Sequence, residues 1–361
     1  MFWIFFVLLI FSTGDCILID QITSTSPSSS SSSSTSSSTS TSSSPSSTTS
    51  SSSSPSSSSS STTSSSSSTS SSSSTSSTTS SSSTTTAVPG WTITGNMNFA
   101  RYSHTTSTLA NGSVLVAGGI GSDNGYLNTT ELYYPSTGIW TTTGNMNFIR
   151  GYHTASTLAN GSVLVAGGSN SASFVNTAEL YNPATGIWTS TGSMNAAHAY
   201  HTASTLANGL ILVAGGSSIS VELYNPSTGT WTTTESMIFG RQWHTASTLT
   251  NGLVLVAGGS YGSIYRNSAE LYNLTKGTWT TTGSMSIARR DHTASTLANG
   301  SVLVAGGYNG GSSNSAELYN PAISTWITVG NMSFARYFHT ASILANGKVL
   351  VAGGDSSAEL Y

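Results

Sequence analysis

Arginine, histidine and glutamate recur at fixed places along the chain, and these are the side chains that could do chemistry. The histidines of six His-Thr pairs are His104, His153, His201, His244, His292 and His339. Three residues before each stands Arg101, Arg150, His198, Arg241, Arg289 or Arg336. The recurring glutamates are Glu131, Glu179, Glu222, Glu270, Glu317 and Glu359. The Arg/His set could form a cationic ring for an anionic ligand, and the six histidines could form a metal ring.

The strict repetition favours a structural role for all three sets. The arginines could pair with the glutamates, either within one repeat or between neighbouring repeats, as a half-buried charge requires. The repeated histidines have nearly identical neighbours, which is typical of a hydrogen-bonded strand residue. His198 and His201 are three apart in a predicted strand, so we expect them on opposite sides and not as a chelating pair.

Motifs for catalysis are missing from the sequence. It has no Gly-x-Ser-x-Gly elbow between a strand and a helix, because its match at residues 258–262 lies in a repeat without a helical pattern. It also has no paired-carboxylate motif and no glycine-rich phosphate loop. The acidic residues outside the repeated glutamates of the repeat region are Asp123, Glu235, Asp291 and Asp355. The single cysteine, Cys16, excludes an intrachain disulfide. We therefore predict no catalytic residues, no metal and no cofactor, although a hydrolase that uses Asp291 beside Arg290 stays an alternative.

The recurring residues belong to a repeat of 43 to 49 residues. The phrase HTASTLANGSVLVAGG occupies residues 153–168 and returns unchanged at 292–307. Asn-Gly joins two short β-type runs in it, which is the strongest short-range signal for a hairpin. With the later runs AELY and IWTTT, each repeat predicts four short strands. The distance from the double glycine to the tyrosine of ELY varies from 7 to 14 residues, whereas the other spacings are constant.

The double glycine, the tyrosine and a tryptophan seven residues later resemble the kelch repeat. The resemblance runs from Trp91 to Tyr361 and implies an all-β, six-bladed kelch-type β-propeller. The domain starts with a lone fourth strand at residues 91–94 and ends after a third strand. We therefore expect this N-terminal strand to complete the blade that begins at Arg336.

The N-terminal part of the chain differs in composition from the repeats. Residues 2–11 are apolar and too few to span a bilayer, so we predict a signal peptide over residues 1–16; an uncleaved short anchor is the alternative. Residues 17–86, mostly Ser and Thr, are predicted to be a disordered, mucin-like linker or an unmodified tether. The propeller then occupies 87–361. We expect a secreted or cell-surface protein, with membrane association only if the apolar segment is uncleaved.

The residues that differ between repeats point to one face of the propeller. In a four-stranded blade, the loop between strands two and three lies on the same face as the connection to the next blade. Our candidate ligand-binding residues on this face are Tyr102, Tyr126, Tyr152, Tyr200, Trp243, Tyr265, Arg290, Asp291, Tyr337 and Phe338. Exposed aromatics with a few polar groups suit a protein or a glycan. The alternative is that these aromatics only plug the central channel.

Six N-x-Ser/Thr sequons are candidate glycosylation sites: Asn111, Asn128, Asn160, Asn273, Asn299 and Asn331. Four of them, Asn111, Asn160, Asn273 and Asn299, fall in turns that we assign to the opposite face. Glycans there would leave the variable face open. The Asn-Gly-Ser triplets could also be a consequence of hairpin chemistry alone.

Composition and resemblance together favour a non-catalytic extracellular binding or adhesion module. The propeller region carries nine basic and ten acidic residues, which argues against nucleic-acid binding. One alternative is a carbohydrate-active enzyme, because copper radical oxidases that act on galactose have a kelch-type propeller. Their site requires a cysteine cross-linked to a tyrosine, and residues 87–361 contain no cysteine. A structural coat or matrix protein is the other alternative.

Overall fold

The repeated β-type runs form strands throughout the part of the chain that the structure describes. This computed structural model describes residues 93–354 and 357–361, and within them every regular element is a β-strand. The predicted signal peptide (1–16) and Ser/Thr-rich linker (17–86) lie outside these residues. No helix in the described residues is long and apolar enough to span a bilayer.

Blade 1 shows how each repeat folds. A short ribbon pairs β1 (Arg101–Tyr102) with β4 (Ile120–Gly121), and the main sheet contains β2 (Thr105–Thr108), β3 (Val114–Ala117), β5 (Thr130–Tyr134) and β6 (Ile139–Thr142). The four strands run antiparallel in the order β2-β3-β5-β6. The predicted Asn-Gly turn joins β2 to β3, with Gly112 at a φ of 80°. The all-apolar β3 is buried along its whole length, as a central strand with both faces covered requires.

The other blades repeat this meander. Blade 2 consists of β7 (Thr154–Thr157), β8 (Val163–Ala166), β9 (Ala178–Asn182) and β10 (Ile187–Ser190). Blade 3 consists of β11 (Thr202–Thr205), β12 (Ile211–Ala214), β13 (Val221–Asn225) and β14 (Thr230–Thr234). Blade 4 consists of β15 (Thr245–Thr248), β16 (Val254–Ala257), β19 (Ala269–Asn273) and β20 (Thr278–Thr281), with a ribbon of β17 (Ser260–Tyr261) and β18 (Ile264–Tyr265).

Blades 5 and 6 complete the described sheets. Blade 5 consists of β21 (Thr293–Thr296), β22 (Val302–Ala305), β23 (Ala316–Asn320) and β24 (Thr325–Val329). Blade 6 consists of β25 (Thr340–Ile343), β26 (Val349–Ala352) and β27 (Ala358–Leu360). The prediction of an all-β, six-bladed propeller is confirmed.

The predicted closing strand of blade 6 is not tested by the described residues. In them the sheet of blade 6 has three strands. Trp91 and Thr92 lie outside the described residues, and Ile93 and Thr94 are not in a strand. Thr94 instead bonds to the Tyr133 hydroxyl of blade 1 at 2.7 Å. Closure by residues 91–94 therefore stays a prediction.

Apolar side chains from consecutive blades form the cores between them. Between blades 1 and 2, Leu115 and Ala117 pack with Val163, Val165 and Tyr181, all nearly inaccessible to solvent. Each such side chain contributes about 1.5–3 kcal/mol when fully buried. Equivalent clusters join blades 2 to 3, 3 to 4, 4 to 5 and 5 to 6. The blades thus depend on their neighbours for a core.

The repeated Tyr and Trp form one aromatic pair in each of blades 1 to 5. In blade 1, Tyr133 and Trp140 are directly opposite on β5 and β6, with ring centroids 5.0 Å apart. Such a pair adds about 0.5–1.5 kcal/mol beyond its buried area. The indole nitrogen of Trp140 donates to the carbonyl of Gly95 in the preceding connection at 2.8 Å. The pair therefore also anchors the chain that enters the blade.

The double glycines stand where the backbones of neighbouring blades crowd together. Gly118 has a φ of 61°, and a Cβ there would lie 2.6 Å from the carbonyl oxygen of Arg150 in blade 2. The same Cβ would lie 2.9 Å from the terminal methyl group of Met146. No larger residue fits this place, which explains why the pair recurs in every repeat.

We predict that Gly118→Ala destabilises the propeller by about 3 kcal/mol or more, because it combines a positive φ with a clash against backbone. Gly112→Ala is the matched control: its φ is 80°, but nothing lies within 4 Å of the added Cβ. It should cost only about 1–2 kcal/mol. Urea unfolding of both variants measures the difference, and equal losses would contradict the crowding argument.

Candidate functional site

The repeated arginines and glutamates form buried ion pairs inside each blade. In blade 2, Nη2 of Arg150 lies 2.9 Å from Oε1 of Glu179, and both side chains are fully buried. The corresponding pairs are Arg101–Glu131, Arg241–Glu270, Arg289–Glu317 and Arg336–Glu359, with His198–Glu222 in blade 3. The structural interpretation is confirmed, since these charges are paired and do not form a free cationic ring.

Backbone groups complete the pairing in blade 2. Nη1 of Arg150 donates to the carbonyl oxygens of Gly167 and Thr177 at 2.8 and 2.9 Å. Glu179 accepts the backbone N–H groups of Asn147 and Phe148. The ion pair thus holds the double glycine, the variable loop and the incoming connection together. Because both terminal nitrogens of Arg150 and both carboxylate oxygens of Glu179 have partners, the cost of burying the two charges is largely offset, although Nε of Arg150 is buried without a partner.

His198 takes the place of the arginine in blade 3. Its Nδ1 lies 2.7 Å from the carbonyl oxygen of Gly215, and its Nε2 lies 3.4 Å from Oε1 of Glu222. The expectation that His198 and His201 face opposite sides is wrong, because their ring centroids are 5.8 Å apart. The reason is that Tyr200 has a φ of 59° and reverses the chain before β11 begins.

The repeated histidines connect neighbouring blades. Nε2 of His153 in blade 2 lies 3.0 Å from Oγ1 of Thr105 in blade 1, within hydrogen-bonding distance. The same contact joins Thr154 to His201, Thr202 to His244, Thr245 to His292 and Thr293 to His339. The predicted hydrogen-bonding role is confirmed for these five histidines, but each stands immediately before the first strand of its blade and not within it. Within the described ranges, no group of three or more His, Cys, Asp or Glu residues could hold a metal ion.

Burial keeps these histidines neutral. Desolvation, and then the charge of the neighbouring arginine, lower the pKa of His104 and of His244 to about 3 and that of His339 to about 4. The same causes hold the pKa values of His153 and His292 well below the usual 6.5. Desolvation and the neighbouring histidines act likewise on His201.

One residue from each blade stands immediately before the repeated histidine with a left-handed backbone. These residues are Ser103, Tyr152, Tyr200, Trp243, Asp291 and Phe338, with φ between 51° and 59°. The N–H of each of the last five donates to the carbonyl of the equivalent residue in the previous blade, from Tyr152 to Ser103 through Phe338 to Asp291, at 3.1–3.3 Å. This backbone chain fixes the direction in which the six side chains leave the centre of the propeller.

Most of the candidate residues come together around this chain, in what we call the axial belt: Tyr152, Tyr200, Trp243, Tyr265, Arg290, Asp291, Tyr308, Tyr337 and Phe338. Tyr200 contacts Tyr152 and Trp243, with ring centroids 4.5 and 4.7 Å apart. On the other side, Tyr337 contacts Tyr308 at 5.3 Å and Phe338 at 5.1 Å. The aromatic rings are only partly buried.

Arg290 links the two halves of the axial belt. Its guanidinium lies 4.7 Å from the ring centre of Trp243, 5.4 Å from that of Tyr308 and 5.8 Å from that of Tyr265. Its Nε is 3.4 Å from Oδ2 of Asp291, whose side chain is 2% exposed. A carboxylate that is buried against a cation in this way is a poor general base, so the geometry does not favour the hydrolase alternative at Asp291.

The two other candidates belong to blade 1. The hydroxyl of Tyr102 donates to Oδ1 of Asn124 at 3.1 Å, and that of Tyr126 lies 3.4 Å from Oγ of Ser169. The ring of Tyr126 rests on Gly151, where a Cβ would come within 3.3 Å of it. Tyr126 therefore packs against blade 2, next to the belt residue Tyr152.

Sequence reasoning missed Tyr308 and Phe174. Tyr308 directly follows the double glycine of blade 5 and pairs across the ribbon with Arg290. Phe174 meets the ring of Tyr200 edge-on at 6.1 Å. The position of Tyr308 next to an invariant part of the repeat was an available signal, because the other five repeats carry Ile120, Ser169, Ser217, Ser260 or Asp355 there. Phe174 had no such signal.

The six sequons differ in how their asparagines are engaged. Nδ2 of Asn128, the atom that a glycan would need, donates to the carbonyl of Met146 at 2.9 Å. Oδ1 of Asn111, Asn160, Asn273 and Asn299 accepts a backbone N–H of its own turn. Asn331 is exposed. Asn128 is thus the least suited of the six, and glycosylation at these sites stays a prediction.

Comparison with known proteins agrees with this architecture. A kelch motif family matches residues 101–147, 150–195, 244–286 and 289–333, and a second kelch motif matches 199–237. No curated protein matches the chain. Among solved structures, the chain is similar to a fungal alcohol oxidase of the AA5 family in complex with copper. That match has 22% identity and a TM-score of 0.59 and covers 70% of this chain but 58% of the oxidase, so it shows the fold alone.

The similarity to a copper-containing oxidase raises the question of a copper centre, and the residues of this chain do not fit one. Copper prefers imidazole and thiolate ligands. The described histidines are buried, and the repeated histidine of each of blades 2 to 6 contacts a threonine of the preceding blade. The sole cysteine, Cys16, lies outside the described residues. The axial belt itself supplies tyrosines, one arginine and one paired aspartate.

We predict that Glu179→Gln lowers the free energy of unfolding by about 3–5 kcal/mol, because Arg150 keeps a buried charge without its partner. Glu359→Gln is the matched control, since the side chain of Glu359 is 21% exposed and water can replace part of the interaction. It should cost clearly less. Chemical unfolding compares the two variants, and equal costs would argue against burial as the cause.

We predict that the free energy of unfolding falls as the pH falls below about 6.5. The histidines of the unfolded chain then bind protons, whereas the buried histidines of the folded chain stay neutral. The folded pKa values of about 3 to 4 lie below the unfolded value, so this stability is complete above pH 6.5 and is lost towards pH 4. Each histidine contributes up to about 1.4 kcal/mol per pH unit. Unfolding free energies at pH 7, 6 and 5 test this, and a flat profile would contradict it.

Proposed function

The chain belongs to the family of kelch-motif proteins, and from this premise we propose that it is a non-catalytic extracellular binding or adhesion module. A protein or glycan ligand binds at the axial belt. The observation that carries the proposal is the cluster of half-buried aromatic rings that differ between otherwise repeated blades. Residues that the scaffold needs are the same in every repeat, whereas these are not.

The amount of aromatic surface favours binding over a purely structural plug. Tyr, Trp and Arg are the residues that dominate binding energy at interfaces. Here they occur together on a rigid scaffold, and rings such as Tyr200 and Trp243 remain partly accessible. Rings that only filled a channel would be expected to be fully buried.

The non-catalytic part of the proposal rests on the chemistry of the side chains. The repeated arginines, glutamates and histidines are occupied in the scaffold, and Asp291 is paired with Arg290. The similarity to the alcohol oxidase concerns the fold, and the donor set differs from what copper prefers. The extracellular part rests on the apolar and Ser/Thr-rich N-terminal sequences and on the sequons.

The proposal predicts that ligand binding weakens when a belt residue is replaced by the residue that another blade carries at the same position of the repeat. Arg290→Gln installs the residue of blade 4, Gln242, and Tyr337→Ala installs that of blade 3, Ala199. Because Arg290→Gln removes the partner of the buried Asp291, urea unfolding must first show that the double variant is folded. The full-length secreted protein is tested against immobilised glycans and extracellular protein domains. A binder of micromolar or better affinity should weaken about tenfold or more in the double variant.

Tyr134→Asn on the opposite face is the control, because Asn182, Asn225, Asn273 and Asn320 occupy this place in blades 2 to 5. It should leave binding unchanged. Binding that survives the double variant would refute the choice of face. Absence of any binder would favour the coat or matrix alternative. Hydrogen peroxide formation from galactose or primary alcohols by copper-treated protein would overturn the non-catalytic assignment.

A further inference from the structure

The geometry of the axial belt points to an uncharged oligosaccharide as the ligand, and we propose that its sugar rings stack along the arc Tyr152–Tyr200–Trp243. This inference rests on the proposed function and names the class of ligand for the same site. Its three supports are the fixed arrangement of the rings, the neutralisation of the charges around them, and the kind of polar group that remains.

The three rings are held in place before a ligand arrives. Each belongs to a residue with a left-handed backbone, whose N–H is bonded to the previous blade: Tyr200 to Tyr152 at 3.3 Å and Trp243 to Tyr200 at 3.2 Å. Their centroids follow one another at 4.5 and 4.7 Å, with tilts of 46° and 43°. A rigid aromatic surface loses little conformational entropy on binding.

The tilted rings form a curved arc, and this shape suits a chain of sugars. The faces of pyranose rings carry C–H groups that pack on aromatic rings. Each centroid step along the arc is comparable with the size of one sugar ring, so a chain of a few sugars can contact all three side chains. Phe174, which is exposed and meets Tyr200 edge-on, borders the arc on its blade 2 side.

The charged groups near the arc are already engaged. Arg290 is paired with Asp291 and stacked on three aromatic rings. An acidic or basic ligand would therefore lack a strong ionic partner, whereas a neutral one needs none.

The remaining polar groups are hydroxyls and amides, which match sugar hydroxyls as donors and acceptors. The belt contributes the hydroxyls of Tyr265, Tyr308 and Tyr337, and Gln242 lies next to Trp243 in the chain. The Tyr-, Ser-, Gly- and Asn-rich loops also resemble the composition of antibody paratopes, which bind proteins as well. The protein alternative is therefore an outcome that the experiment must separate.

Tyr200→Ser and Trp243→Ser are the informative variants, because Ser103 occupies this place in blade 1 with a φ of 53°. The probes are neutral, sialylated and sulfated oligosaccharides on one array, with the full-length secreted protein. Neutral oligosaccharides should bind to the unchanged protein, and each variant should lower their affinity about tenfold or more. Tyr134→Asn should not change binding. The affinity should vary little between about 0.05 M and 0.5 M salt.

The possible failures are distinguishable. One outcome is that a purified protein domain binds, that both serine variants abolish this binding, and that no neutral glycan binds. The oligosaccharide inference is then wrong, while the proposed function stands. Binding of sialylated or sulfated glycans alone, with strong salt dependence, also overturns the inference. If a ligand binds with equal affinity to both variants and to the Arg290→Gln/Tyr337→Ala protein, the inference and the proposed site fail together.

Discussion

The buried ion pair between arginine and glutamate is the interaction on which each blade depends. In blade 2, the guanidinium of Arg150 bonds the carbonyl of Gly167, the loop at Thr177 and the carboxylate of Glu179, which in turn accepts two backbone N–H groups. Three segments of the blade, residues 147–150, 167 and 177–179, therefore meet at one pair of charges. Two buried charges are stable only with extensive pairing of this kind, and this requirement keeps the residues nearly constant from blade to blade.

A second constraint acts between blades. The double glycine allows the backbone of the next blade to approach to a distance that no side chain tolerates, and the Thr–His hydrogen bonds then form across the same junction. Histidine suits this position because a neutral imidazole can bond a hydroxyl while its carbon atoms pack in a dry interface. The cost is that protonation of the histidine favours the unfolded chain.

These constraints explain why function is to be sought in the residues that vary. The scaffold uses the repeated charges and imidazoles for its own cohesion, so they are not available to a ligand. The left-handed residue before each histidine is structurally required, but its side chain is free to differ, as Ser103, Trp243 and Asp291 show. The fold thus presents six independently chosen side chains around one centre. In this protein most of them are aromatic, and the one acidic side chain is neutralised by its neighbour Arg290.

Much of the architecture could be predicted from the sequence, because the same physical requirement recurs in each of the six repeats. The strand number, the Asn-Gly hairpins, the pairing of Arg150 with Glu179 and the structural role of His153 follow from residue type and spacing. Other features depended on the tertiary structure. The backbone reversal at Tyr200 brings His198 and His201 together, against the expectation for a strand. The place of Arg290 on the ring of Trp243 and that of Tyr126 beside Ser169 arise from contacts between different blades. Periodicity determines what every blade shares, whereas side-chain contacts across blades depend on the three-dimensional arrangement of residues that occur only once.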